Sequence, residues 1–145
     1  YASALDKTGR WNEAQKIFMK ILEKNPEDTY SLNYLAYNLA LRNEDLDLAL
    51  NFIKKALSLD PNNGFFLDTL GWIEYKKSNF MSSVFYLEKS VIALPKSSEV
   101  IDHLGDCYLM LGRTNEAIYE WKKALKYEKD ISVINLIKEK LSKYE

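Results

Sequence analysis

The segment IDHLGDCYL, residues 101–109, holds the chain's only histidine and only cysteine, His103 and Cys107, with Asp102 and Asp106 each one position ahead of them. On a helix, His103 and Cys107 stand at i and i+4 and share a face, near enough for both to ligate one metal ion. A zinc centre takes three or four convergent ligands, and the chain has no other His or Cys, so only carboxylates such as Asp68 or Asp102 are left to complete it. Hydrolytic chemistry has less to work with. No serine lies in a nucleophile-elbow context, no glycine-rich phosphate loop is present, and one histidine beside an aspartate without a positioned nucleophile is not a triad. The expectation is therefore no catalytic residue, no metal and no cofactor, with His103 paired to an aspartate and Cys107 a buried thiol.

The elements that position these side chains repeat along the chain. LDTLGWIEY at 67–75 aligns with IDHLGDCYL at 101–109, leucine on leucine, glycine on glycine and aspartate on aspartate; LNYLAYNLA at 32–40 is a third copy with Ala36 in the glycine position. Small residues recur at Ala14, Ala49, Ser83 and Ala117, followed four positions on by Phe18, Ile53, Leu87 and Trp121, and three further by Ile21, Ala56, Ser90 and Ala124. Spacings of three and four are helical, so each unit carries two amphipathic helices. Pro26, Pro61 and Pro95 mark the breaks between units, since proline lacks the amide proton that a helix needs. Small side chains at Ala36, Gly71, Gly105, Ala49 and Ala117 allow the paired helices to approach closely.

These positions resemble a tetratricopeptide repeat: leucine, then glycine or alanine, then an aromatic residue or leucine, with a later alanine, large apolar residue, alanine and proline at a period of about 34 residues. The resemblance implies an all-α fold, an α-solenoid of tandem antiparallel helix pairs wound as a right-handed superhelix, forming one domain over 1–145. Residues 1–28 form a truncated repeat, 29–63, 64–97 and 98–131 complete ones, and 132–145 a capping helix with Val133, Leu136, Ile137, Leu141 and Tyr144 on one face and lysines with glutamate on the other. Three departures stand out: an extra residue within RNEDLD, Ser78 in place of an inter-helix glycine, and Glu74 followed by Tyr75 where a tyrosine comes first.

In the family, first helices line a concave groove that binds a peptide. The equivalent residues are Tyr30, Asn33, Tyr34, Tyr37, Ala40 and Leu41; Phe65, Asp68, Thr69, Trp72, Tyr75 and Lys76; and Glu99, Asp102, His103, Asp106, Leu109 and Met110, with Ser3, Asp6 and Lys7 from the truncated unit. The set is aromatic upstream and acidic downstream. It implies a non-catalytic protein-interaction module for a segment with basic and apolar residues, in which a guest cation could stack on Trp72 or a tyrosine. The branch of the family that clamps acidic chaperone tails uses lysine, arginine and asparagine at these positions, so no such clamp is expected. A structural spacer or self-association segment is the alternative, because a chain starting within a helix would leave Trp11, Phe18 and Ile21 poorly covered at its N-terminal edge.

Twenty basic against twenty-one acidic side chains give a net charge of -1, which recruits neither nucleic acid nor an anionic membrane. No run is long and apolar enough for membrane insertion. One cysteine leaves the compartment open, and bacterial cytoplasm and periplasm both stay possible; Tyr1 is not an initiator methionine, so the chain is expected to be part of a longer protein.

Overall fold

A computed structural model describes residues 10–145, so Ser3, Asp6 and Lys7 lie outside the described residues. Among the described residues there are eight helices and no strand. They are α1 (Trp11–Lys24), α2 (Thr29–Leu41), α3 (Leu46–Leu59), α4 (Gly64–Lys76), α5 (Phe80–Ala93), α6 (Ser98–Met110), α7 (Thr114–Tyr127) and α8 (Ile131–Tyr144). The fold is an all-α solenoid of helix pairs, and it falls into two compact units, one ending at Pro61 and one starting at Asn62.

In the first unit α2 packs on both α1 and α3. Leu32, Leu35, Ala36, Leu39 and Ala40 are buried along α2, facing Ala49, Ile53 and Ala56 of α3, as the spacing of three and four requires. Asp28 precedes α2 and accepts a hydrogen bond from the Ser31 hydroxyl at 2.6 Å. The extra residue between α2 and α3 is accommodated by two left-handed positions, Asn43 (φ 54°) and Asp45 (φ 36°), and the Asp45 carboxylate accepts the Leu48 N–H at the start of α3. Trp11 and Phe18 prove buried, contrary to the expected open edge. Tyr34 stacks on Phe18 with centroids 4.1 Å apart, and the Arg42 guanidinium lies 4.8 Å over the Trp11 ring. Only Ile21 of that trio is exposed.

In the second unit α4 pairs with α5 and α6 with α7, α5 packs on α6, and α8 packs on α7. Glycine permits the two close pairings. A β-carbon on Gly71 would lie 2.7 Å from Leu87 Cγ, and one on Gly105 would lie 2.6 Å from Trp121 Cδ1. Where alanine recurs elsewhere, this pair of helices carries serine, and the hydroxyls are satisfied across the interface: Ser83 donates to the Gly71 carbonyl and Ser90 to the Gly64 carbonyl, both at 2.7 Å. Ser78, the replacement for an inter-helix glycine, sits at φ 64°, and Gly112 occupies the matching turn at φ 77°.

The capping helix departs from its expected face. Ile137 and Leu141 are buried in the core with Trp121, Leu104 and Ala124, and Val133 packs against it. Leu136 is 57% exposed, because one residue back from Ile137 is about 100° round the helix and leaves the buried stripe.

Candidate functional site

Four candidate positions of the second unit lie at i, i+3, i+4 and i+7 on α6: Glu99, Asp102, His103 and Asp106. Asp68, Trp72 and Tyr75 lie at i, i+4 and i+7 on α4. Both sets follow the helical period, so each forms a stripe down one face.

His103 Nδ1 and Asp68 Oδ1 are 2.9 Å apart, with both side chains buried. Burial disfavours the imidazolium, but the Asp68 carboxylate, with Glu99 and Asp102 behind it, outweighs that and raises the His103 pKa above its ordinary value. The His103 ring stacks on Trp72 at 3.9 Å between centroids, and Tyr75 stacks on Trp72 at 4.4 Å with planes 5° apart. Two parallel rings that close cannot share a face of the indole, so they cover opposite faces. Trp72 is 8% exposed, and the Lys76 ammonium already lies 5.5 Å from its ring centroid, so little of the indole is left for a guest cation. Tyr75 in turn meets Phe80 edge-on at 5.5 Å, which is how repeat three packs despite carrying Glu74 ahead of its tyrosine.

Asp102 and Asp106 share one lysine. Lys140 Nζ lies 2.8 Å from Asp102 Oδ1 and 2.9 Å from Asp106 Oδ1, and the Trp121 indole N–H also donates to Asp106 Oδ1 at 3.2 Å. Burial and the neighbouring Asp102 raise the Asp106 pKa, with Lys140 working against both; Lys140 itself, opposed by burial, is held protonated by the two carboxylates. Residue spacing did not point to Lys140. The available signal was its place one position before the buried Leu141, at the border of the apolar stripe where a long stem can reach over the neighbouring helix. Beside it, Tyr75, Leu109, Trp121, Leu136 and Tyr144 line a cleft of about 440 Å³.

Cys107 is fully buried and turned away from this face: its Sγ lies 2.9 Å from Ser83 Oγ, and burial pushes the thiol up to about 12. The i, i+4 pair of His103 and Cys107 is therefore not a joint ligand set. Asp68, Glu99 and His103 instead bring one oxygen or nitrogen each to within 4.8 Å of one another. Thr69 is buried and donates to the Phe65 carbonyl within its own helix.

The first-unit candidates divide similarly. Tyr30 is 62% exposed, Asn33, Tyr34 and Tyr37 are half-buried, and Ala40 is fully buried in the helix interface. Tyr30 and Tyr34 lie 6.4 Å apart as a stacked pair. On the second unit Phe65 and Glu99 are exposed, as are Leu41 and Met110 at the ends of α2 and α6. No helix among the described residues is long and apolar enough to cross a membrane.

Residues 34–63 and residues 1–28 each match a family model described as a tetratricopeptide repeat. A TPR repeat-containing protein of Methanocaldococcus jannaschii is 34% identical over 121 residues, which make up 81% of this chain and 20% of that protein. The chain thus spans about a fifth of that curated relative. Among solved structures, PilW, a type IV pilus biogenesis factor, aligns with a TM-score of 0.78 at 21% identity, over 87% of this chain and 58% of that one. MamA aligns with a TM-score of 0.71 at 17% identity, over 88% of this chain and 74% of that one. At such identities the likeness is one of fold.

Proposed function

We propose, from the premise that this chain is a tetratricopeptide repeat protein, that the first helices of its repeats, α2 in the first unit and α4 and α6 in the second, each present a surface that takes apolar or basic side chains of a partner protein. Proteins of this family are generally non-catalytic protein–protein interaction modules. The repeats are 1–28, 29–63, 64–97 and 98–131, with 132–145 as the cap.

Tyr30 and Phe65 carry this reading. Each sits in the first turn of a first helix and is about three-fifths exposed, at 62% and 60%, although the next apolar residues on the same helices, Leu32 and Phe66, are buried. Covering an exposed aromatic ring with a partner's apolar side chain gains on the order of 1.5–3 kcal/mol. Beside Phe65, the second unit offers Glu99 exposed and Asp102 and Asp106 partly exposed. The side chains Asp68, Glu99, Asp102 and Asp106 outnumber Lys140 and His103, so the local field favours a cation. An incoming lysine or arginine would pair with Glu99 or replace Lys140 on its two carboxylates.

Fluorescence anisotropy with two labelled peptides tests this, one alternating arginine with leucine and its counterpart alternating glutamate with leucine. The arginine peptide is expected to bind more tightly, and Tyr30→Ala, Phe65→Ala and Glu99→Gln each to weaken it several-fold. Tighter binding of the glutamate peptide, indifferent to Glu99→Gln, would overturn the proposal.

A further inference from the structure

We propose that Asp68, Glu99 and His103 form a site for a divalent transition-metal ion. Glu99 and His103 are one helical turn apart on α6, and Asp68 reaches them from α4, so two elements of the second unit converge on one point. One ligand atom from each lies within 4.8 Å of the other two, and the His103 Nδ1 to Asp68 Oδ1 separation is 2.9 Å. Two metal–ligand bonds of about 2.1 Å at a right angle span about 3 Å, so this pair already has the spacing of one edge of an octahedral centre.

Chemistry and burial favour a particular class of ion. One imidazole nitrogen with two carboxylate oxygens suits borderline cations such as zinc, cobalt, nickel or manganese, whereas calcium and magnesium prefer all-oxygen sets. Asp68 and His103 are buried at 6% and 8% exposure, and the His103 ring is fixed by its stack on Trp72, so two ligands are held in place before any ion arrives. Glu99 is exposed and supplies the third ligand from the solvent side, leaving the remaining coordination positions to water or to a ligand supplied by a partner. On binding, the ion takes the place of the hydrogen between His103 Nδ1 and Asp68 Oδ1; an imidazolium releases that proton to solvent and a neutral ring carries it on Nε2 instead, so the ligating imidazole is neutral in either case. The sequence does not announce this site, because Cys107, which shares the i, i+4 spacing with His103, faces Ser83, while Glu99 lies one turn before His103 among many exposed carboxylates.

The test uses the whole chain without peptide, so it is independent of the peptide-binding reading. Zinc chloride titrated calorimetrically is expected to bind at one ion per chain. Cobalt chloride is expected to quench tryptophan emission saturably, an effect abolished in Trp72→Phe because Trp72 is the indole stacked on His103. Glu99→Gln, at an exposed position that leaves the fold intact by circular dichroism, is expected to weaken zinc about ten-fold or more. His103→Gln is expected to remove binding. No saturable zinc binding, equal affinity in Glu99→Gln, or calcium binding as tight as zinc would each overturn the proposal.

Discussion

Lys140 Nζ lies 2.8 Å from Asp102 Oδ1, joining the last helix to the first helix of the preceding repeat across 38 positions of sequence. The same ammonium reaches Asp106, so one cation answers two carboxylates that would otherwise repel one another one turn apart on α6. The acidic stripe of this repeat is thus partly neutralised from within, and a basic guest there would compete with a tethered lysine.

Replacing that lysine therefore has two expected effects. The ammonium side chain is 30% exposed and each carboxylate 19%, between a surface pair and a buried one, so Lys140→Met is expected to cost about 1–2 kcal/mol in urea denaturation. The freed carboxylates are expected to raise affinity for the arginine-leucine peptide several-fold. Lys122→Met, which removes the largely exposed pair with Glu145, provides the control, with no measurable loss expected.

Close helix approach at Gly105 makes a sharper prediction. An added methyl would lie 2.6 Å from two atoms of Trp121, a fully buried ring whose N–H is committed to Asp106. Gly105→Ala is expected to destabilise by about 1–3 kcal/mol, with a visible change in near-ultraviolet circular dichroism as the indole shifts.

At Ser78 the opposite change is expected. Its φ of 64° is strained for an L side chain, and Gly112 already solves the equivalent turn with glycine. Ser78→Gly is expected to gain about 0.5–1 kcal/mol, read as a higher urea midpoint with an unchanged slope.

Glu120 offers a pH-dependent case. Its Oε2 is buried without a hydrogen-bond partner among the described residues, and burial first, then Glu116 and Glu88, raise its pKa, with Lys123 opposing. A carboxyl raised in the folded state binds its proton more tightly there than in the unfolded chain, so this group destabilises fully above its folded pKa. The penalty fades as the pH falls towards the ordinary carboxyl range. Glu120→Gln is expected to raise Tm at neutral pH, by about 4 °C for each kcal/mol regained, and the gain is expected to shrink progressively in melts taken at acidic pH.

The helix pairs were legible because the features that impose them are local. Gly71, Gly105, Ala36 and Ala49 recur in register, since any larger side chain there would push two backbones apart, and a repeat writes that constraint several times over. The state of the site residues was not legible in the same way. Whether Trp72 presents an open face depends on where His103 of the next repeat puts its ring, and whether Asp102 is available depends on a lysine beyond that repeat. Lys140 belongs to a helix that breaks the period, so no register position announced it. Trp11 and Phe18 read as an open edge for a related reason: their cover comes from Tyr34, Tyr30 and Arg42, residues assigned to another role or to none.

The Ser83 hydroxyl, wedged between the Gly71 carbonyl and the sulfur of Cys107, leaves the sole thiol of the chain sealed at the seam of α5 and α6. An alkylating reagent meets that sulfur only after the two helices have parted. Its labelling rate under native conditions therefore works as a clock on how often neighbouring repeats come undone, without any engineered probe.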